Sequence, residues 1–152
     1  MDVRFINPFL EGTISVLTTM AFVEPMPGKP RLKAENRAMG DISGIIGLTG
    51  SARGSLAISF SEKCILKIVN NMLGENLTEI NDDIRDAVGE ITNMISGDAR
   101  KRLEGDGFKI MAAIPRVICG KDHEVKHVLG KPSIIIPFEI KEGLFVVDVC
   151  LE

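Results

Sequence analysis

Hydrophobic residues recur along this chain in two rhythms, one helical and one alternating. Between residues 83 and 103, Ile84, Val88, Ile91, Ile95 and Ala99 fall on one stripe when positions are spaced at about 100° per residue. Asp86, Glu90, Asn93 and Gly97 fall on the opposite side. A segment with an apolar back and a polar front buries one face against a core and leaves the other in water. Glu90 and Asn93 are three apart, so their side chains are neighbours on that front. Gly97, one turn beyond Asn93, leaves the front bare.

The helical rhythm also runs through Phe9, Leu10, Ile14 and Leu17, predicting a first helix from Pro8 to about Met20 with Asn7 as N-cap. Pro25, Pro27, Gly28 and Pro30 interrupt the next stretch, so residues 21–24 and 31–35 are expected as short or edge strands joined by a turn. Residues 41–49 are rich in Ile and Gly. Residues 53–60 alternate, with Leu56, Ile58 and Phe60 against Ser55, Ala57 and Ser59. A turn at Gly50-Ser51 makes the two a hairpin. Ser61 is expected to cap a helix whose stripe is Ile65, Ile68, Val69 and Met72 and which Gly74 ends. Residues 75–81 form a polar loop into the long helix, which Gly105 and Gly107 close. Residues 109–119 read as one strand containing Pro115, an edge or bulge feature, and residues 120–130 as a charged loop or hairpin tip. Residues 133–140 and 144–151 read as strands apolar enough to lie centrally. Strands fall in adjacent groups rather than alternating with helices. The expectation is therefore an α+β fold, a largely antiparallel sheet with long helices packed on it, forming a single domain over residues 1–152.

Composition narrows the function more than the fold. With 45% hydrophobic residues the chain can bury a sizeable core, and a 26% charged share argues against disorder. A net charge of −3 gives no reason to expect nucleic acid, and without Trp or Tyr a base-stacking surface would rest on seven Phe that the core needs. No apolar run is long enough to span a bilayer, and the start of the chain lacks a basic stretch followed by an apolar signal core. Cys64, Cys119 and Cys150 are an odd count without motif spacing, which fits buried, inert thiols in a reducing compartment. The expectation is a soluble cytoplasmic protein. Cys119, His123 and His127 are spaced by four, but they fall on strand and loop and offer three ligands at most, so no metal site is expected. The Gly-rich run from Gly44 to Gly54 lacks the Lys-Ser/Thr ending of a phosphate loop and no helix opens directly behind it, so hairpin chemistry accounts for it better.

On the long helix, Asp86-x-x-x-Glu90-x-x-Asn93, with Pro115 a little over twenty residues on, resembles the signature of the CheC/CheX/FliY phosphatases of bacterial chemotaxis. The flanking text agrees: Ile6-Asn7-Pro8-Phe9 opens the first helix, and Gly44-Ile45-Ile46-Gly47-Leu48 leads into Gly54-Ser55-Leu56-Ala57 and the helix after Ser61. The resemblance covers nearly the whole chain. Two-site members of the family carry a Glu and Asn pair on each half. Here Glu11 is followed by Ile14 where the second Asn would stand, so the chain resembles the single-site, CheX type.

That resemblance implies a phosphorylated CheY-like response regulator as substrate, its aspartyl phosphate accompanied by the regulator's own Mg²⁺ and Lys, so no cofactor of the chain's own is expected. What remains is to hold a water in line with phosphorus, because phosphoryl transfer is mostly positioning and electrostatics. The amide of Asn93 suits that role, since its carbonyl accepts a water proton and its NH₂ donates, whereas it is no general base at neutral pH. The resemblance gives Glu90 the regulator's active-site Lys as its partner. Gly97, and less clearly Gly89, would let the partner's loops approach, and Asp86 would shape the rim. A homodimer joined through an edge strand is also implied. The alternative is a non-catalytic module that uses the same helix to hold a response regulator or a flagellar-switch partner. A weaker third possibility is a dimeric scaffold whose helix face is plain surface.

Overall fold

The computed structural model describes residues 3–33 and 37–152. After a 3₁₀ turn at Val3–Phe5, the described residues form three helices and eight strands. They are α1 (Ile6–Ala21), β1 (Met26–Pro27), β2 (Arg31–Lys33), β3 (Ile42–Gly50), β4 (Gly54–Phe60), α2 (Glu62–Leu73), α3 (Asp82–Gly105), β5 (Ile110–Ala112), β6 (Arg116–Cys119), β7 (Ser133–Ile140) and β8 (Gly143–Leu151). The strands make one sheet in the order β1-β7-β8-β4-β3-β5, with β2 also on β7 and β6 also on β3. Every strand pairing among the described residues is antiparallel. The two long hairpins, β3–β4 and β7–β8, lie side by side through β4 and β8, which places β8 centrally as its run of apolar residues demands. The fold is thus the expected α+β arrangement.

One face of the sheet carries the three helices. Ile42, Ile46 and Leu48 of β3, Leu56, Ile58 and Phe60 of β4, and Phe145, Val147, Val149 and Leu151 of β8 belong to one cluster with the apolar stripes of α1, α2 and α3. Phe60, Phe145 and Phe138 of β7 stack in a row, with centroids 5.4 and 4.9 Å apart. Helix and sheet come close together at Gly44. A Cβ there would stand 1.9 Å from Thr92 Oγ1 and 3.3 Å from Val88 Cγ1, so only glycine lets α3 settle onto β3. At Gly54, φ is +155° and a Cβ would lie 1.8 Å from the Cys150 carbonyl oxygen, so the hairpin turn also needs glycine.

The local expectations need several corrections. Asn7 and Pro8 lie inside α1, which opens one residue before Asn7; Phe5 occupies the N-cap and makes no side-chain cap bond. Ala21 closes α1 rather than starting a strand, and the first short strand comes later, at Met26. The second expected strand is present as β2, and its 34–35 end lies outside the described residues. Ser61 holds the N-cap position of α2, but its hydroxyl makes no cap bond; Asp41 Oδ2 accepts from Glu62 N at 2.8 Å instead. The single strand expected over 109–119 is two edge strands, β5 and β6, broken at residues 113–115, where Pro115 removes a ladder donor.

The other face of the sheet is covered by the 120–131 segment, pinned through polar contacts. Ser43 Oγ lies 2.6 Å from both Ser59 Oγ and His123 Nε2. His127 spans Ser55 Oγ at 2.6 Å and Asp148 Oδ1 at 2.8 Å, and Lys33 Nζ donates to Asp148 Oδ2 at 3.0 Å. Lys33 and Asp148 are almost wholly buried, so each charge depends on the other and on these bonds. Burial alone would push the Asp148 carboxyl up; the hydrogen bond and charge of His127, a bond from Ser133 and the charge of Lys33 outweigh it and hold the group below its ordinary value.

Both buried contacts are open to mutation. Gly44→Ala should destabilise the domain by about 1–3 kcal/mol through overpacking, and Thr92→Ala in the same chain should recover part of that loss. Urea unfolding of the two single variants and the double variant checks this, and additive losses would contradict the steric account. Asp148→Asn should cost about 3 kcal/mol at neutral pH by leaving Lys33 buried and unpaired. A carboxyl held low in the folded state stabilises above its unfolded pKa of about 3.9, and that contribution disappears as pH falls through the folded value. The variant's acid limb should therefore be flatter than wild type in unfolding measured between neutral pH and about pH 2, and matching limbs would remove Asp148 from the acid transition.

Candidate functional site

The site is built by the orientation of α3. Asn81 caps the helix, its Oδ1 accepting from Ile84 N at 3.0 Å, and Asp82 and Asp83 in the first turn favour the positive end of the helix dipole. Ile84, Val88, Ile91, Ile95 and Ala99 are all fully buried, as are Thr92 and Ser96 beside them. Each of the larger aliphatic side chains contributes about 1.5–3 kcal/mol on burial, which fixes the helix rotationally. Thr92 turns its hydroxyl back on its own helix, donating to the Val88 carbonyl at 2.8 Å, which satisfies a polar group pressed against Gly44.

With the back fixed, the front is set as well. Asp86, Glu90 and Asn93 are exposed, and among the described residues none of the three makes a side-chain hydrogen bond or ion pair. Gly97 is open: the nearest atom to a Cβ placed there is Arg100 Nη2, 3.8 Å away. Gly89 is different, because a Cβ there would touch Val117 Cγ2 of β6 at 3.6 Å. It faces the sheet edge as well as the front, at an ordinary contact distance that does not by itself require glycine. Asp82, Asp83, Asp86 and Glu90 lie in the first half of the helix and Arg100, Lys101 and Arg102 in its last turns, in the sense the helix dipole favours, with Arg85, Asp98 and Glu104 against that trend.

The surroundings set off this front from the rest of the surface. Glu90 and Asn93 do not line the cavity of about 450 Å³ at Arg37, Asp41, Ser61 and Lys121, nor that of about 640 Å³ at Arg4, Glu11 and Arg102. They stand on an open ridge, so any pocket around a reacting group must come from whatever docks there. Pro115 lies half-buried in the break between β5 and β6, on the strand pair that runs beside α3 through Val117 and Gly89. On α1, Glu11 is held by Arg102 at 3.0 Å and Ile14 packs against the core, so that helix presents no matching amide. Arg100, to which the hydrophobic pattern draws no attention, lies half-buried at the edge of the front and donates from Nε to Ser96 Oγ at 3.2 Å.

The residues with metal-ligand chemistry serve other ends. Both ring nitrogens of His123 and of His127 are engaged, by Ser43 and the Gly120 carbonyl and by Ser55 and Asp148 respectively. Burial, helped by the charge of Glu142, pushes the Cys64 thiol up to about 12. Burial likewise raises Cys150, with Asp148 and Glu152 adding to it. Neither is a thiolate at neutral pH. Cys119 is only partly buried, contrary to the expectation of three buried thiols.

This arrangement has close counterparts. The family model described as chemotaxis phosphatase CheX matches residues 42–139. The CheY-P phosphatase CheX of Thermotoga maritima is 30% identical over 127 residues, which cover 83% of this chain and 82% of that protein. The crystal structure of a CheC-like superfamily protein from Shewanella superposes with a TM-score of 0.92 at 45% identity, covering 100% of this chain and 99% of that one. A chain of the CheX–CheY–BeF₃–Mg²⁺ complex from Borrelia burgdorferi superposes with a TM-score of 0.83 at 27% identity, covering 97% of each. On the family model and the Thermotoga relative together, the chain belongs to the CheX family of chemotaxis phosphatases.

Proposed function

We propose that this chain is a phosphatase of a phosphorylated CheY-like response regulator, with Asn93 orienting the hydrolytic water and Glu90 docking on the regulator's active site. The observation that carries the reading is the pair itself. Glu90 and Asn93 are exposed neighbours, engaged by none of the described residues of their own chain, on a helix whose apolar stripe is wholly buried. A relative bears the name CheY-P phosphatase, and a structural counterpart was crystallised with CheY, BeF₃ and Mg²⁺, which supports the same class of substrate here.

The division of labour follows from the chemistry. An aspartyl phosphate is already an activated acyl phosphate, and the receiver brings the Mg²⁺ and Lys that neutralise the transferring group. Asn93 Oδ1 accepts a hydrogen bond from the water and so fixes its lone pair along the line of attack, a gain of orientation rather than of basicity. A glutamine orients the attacking water of GTPases by the same logic. Glu90, one turn earlier, is left for the receiver's Lys, and a carboxylate–ammonium pair desolvated on docking fixes register more than it adds affinity. Asp86 forms the acidic rim beyond it, and Gly97 gives the partner access to helix backbone. A homodimer joined through a sheet edge, with β5–β6 at one side of the described sheet and β1–β2 at the other, completes the proposal. Retention of the amide favours a catalyst over a non-catalytic binder, because a binder needs only the acidic face.

The test is the decay of a phosphorylated CheY-type regulator from the same organism, followed with and without substoichiometric amounts of the chain and of Glu90→Ala. Wild type should shorten the lifetime with multiple turnovers. Glu90→Ala should raise KM and slow hydrolysis by at least about tenfold without lowering thermal stability, since the residue is exposed and its partner lies on the regulator. Unchanged decay with wild type, while binding remains measurable, would move the protein to the non-catalytic class. Equal affinity in wild type and variant would remove the docking role.

A further inference from the structure

The polar ridge of α3 has a third member beyond Glu90 and Asn93. Arg100 lies seven residues after Asn93, two turns along the same side of the helix, at a rise of about 10 Å between their Cα atoms. Side chains on a helix lean toward its N-terminus, and this one does so far enough for Nε to donate to Ser96 Oγ at 3.2 Å and for Nη2 to stand over the bare backbone of Gly97. The guanidinium therefore sits about one turn from Asn93, over the one position of the ridge that has no side chain.

Arg102, two residues on, is tied to Asp98 at 2.6 Å and to Glu11 at 3.0 Å, and Arg37 pairs with Asp122 at 2.8 Å. Arg100, like Arg31, Arg85 and Arg116, has no carboxylate partner among the described residues, and what distinguishes it is its place on the ridge and its anchoring. Its stem is half-buried and its Nε is anchored, so the fork is held in place before anything binds, and less freedom is lost when it makes further bonds. Finally, Ser96 is fully buried, so the anchor itself cannot drift. The ridge thus reads, in order, carboxylate, amide, open glycine and fixed guanidinium.

We propose that Arg100 is a specificity-determining residue of this ridge, its free guanidinium edge binding an oxyanion that the docked partner presents across Gly97, next to the water held by Asn93. The proposal rests on the phosphatase reading and deepens it. A receiver's phosphorylation site carries both signs of charge: a Lys, which Glu90 meets, and a set of oxyanions comprising the phosphoryl oxygens and the surrounding carboxylates. A guanidinium fork matches either oxyanion bidentately. Glycine at 97 is then required because any side chain there would stand between fork and partner. On this ridge Glu90 precedes Arg100, which gives the docked partner one permitted direction, since reversal would put Glu90 against the oxyanions and Arg100 against the Lys.

The test compares Arg100→Gln and Arg100→Lys with wild type in steady-state hydrolysis of the phosphorylated regulator at several ionic strengths. Affinity for the beryllofluoride-loaded regulator is measured alongside. Arg100→Gln should lower kcat/KM at least about tenfold at unchanged thermal stability, and Arg100→Lys, which keeps the charge but loses the fork, should fall between. A loss confined to kcat identifies a phosphoryl oxygen as the bound group. A loss in KM together with a weaker salt dependence identifies a carboxylate of the partner. A helix-stabilising role alone would change melting temperature and leave the kinetic parameters and salt dependence in place, which overturns the proposal. Should Arg100→Gln fail to fold, Arg100→Lys carries the comparison. Values of kcat/KM and affinity within about twofold of wild type in the glutamine variant, or in the lysine variant if only that one folds, overturn it as well. If wild type shows no turnover at all, the phosphatase reading falls, and affinity for the beryllofluoride-loaded regulator then decides the role of Arg100 by itself.

Discussion

The contact on which the site depends is the one between Gly44 and Thr92. A helix can lie on a sheet at many rotations if all its side chains are of middling size. Here a missing side chain in β3 and a β-branched residue in α3 interlock, with no room for even a methyl group between them. Thr92 is thereby fixed inward, and Asn93, the next residue, is carried round to the outside. The buried stripe from Ile84 to Ala99 supplies the free energy that holds α3 down, while the glycine sets where it comes to rest. A rotation of one residue that carried Asn93 to the inward place of Thr92 would turn Ile91 out to solvent.

A ridge of this kind is an unusual place for chemistry, because an open surface excludes no water and concentrates no substrate. It makes sense when the reactive group is itself embedded in a protein, which brings its own cleft, metal and lysine. On the phosphatase reading the helix needs only to complete a site that is already almost assembled. That explains why the acid and the amide stand clear of the described side chains around them. It also explains why the buried Lys33–Asp148–His127–Ser55 chain lies on the side of the sheet away from α3, with no outlet to the ridge. Those residues close the 120–131 segment over the sheet and take no part in the helix front.

Much of this was legible in the sequence, for physical reasons that differ from element to element. The rotation of α3 follows from five apolar positions at one helical spacing, a signal that burial on a flat sheet face makes hard to mistake. The β3–β4 hairpin announces itself by the alternation of residues 53–60 and a glycine at its turn, and β7–β8 by two strongly apolar runs around Gly143. Contact between distant residues was not legible. Asn7-Pro8 looks like a helix start, yet α1 begins earlier, following a 3₁₀ turn whose Phe5 is buried in the core. Ser61 looks like a cap, yet Asp41, about twenty residues earlier, reaches the same amide. Gly89 and Gly97 look alike in the sequence, and only the structure shows that one has Val117 of β6 beside it and the other Arg100 of its own helix. The role of Arg100 is hidden for the same reason: its neighbours at Ser96 and Gly97 matter only once the helix face is known to be bare.

The central claim is that Asn93 contributes orientation to hydrolysis and little to association. The measurement that meets it most directly is single-turnover dephosphorylation by Asn93→Ala, paired with its affinity for the beryllofluoride-loaded regulator. The account predicts a rate that falls by at least about a hundredfold, toward that of the regulator alone, with a dissociation constant within about threefold of wild type and an unchanged melting temperature. A variant that hydrolyses at the wild-type rate, or one whose lost activity is matched by lost binding, would contradict it.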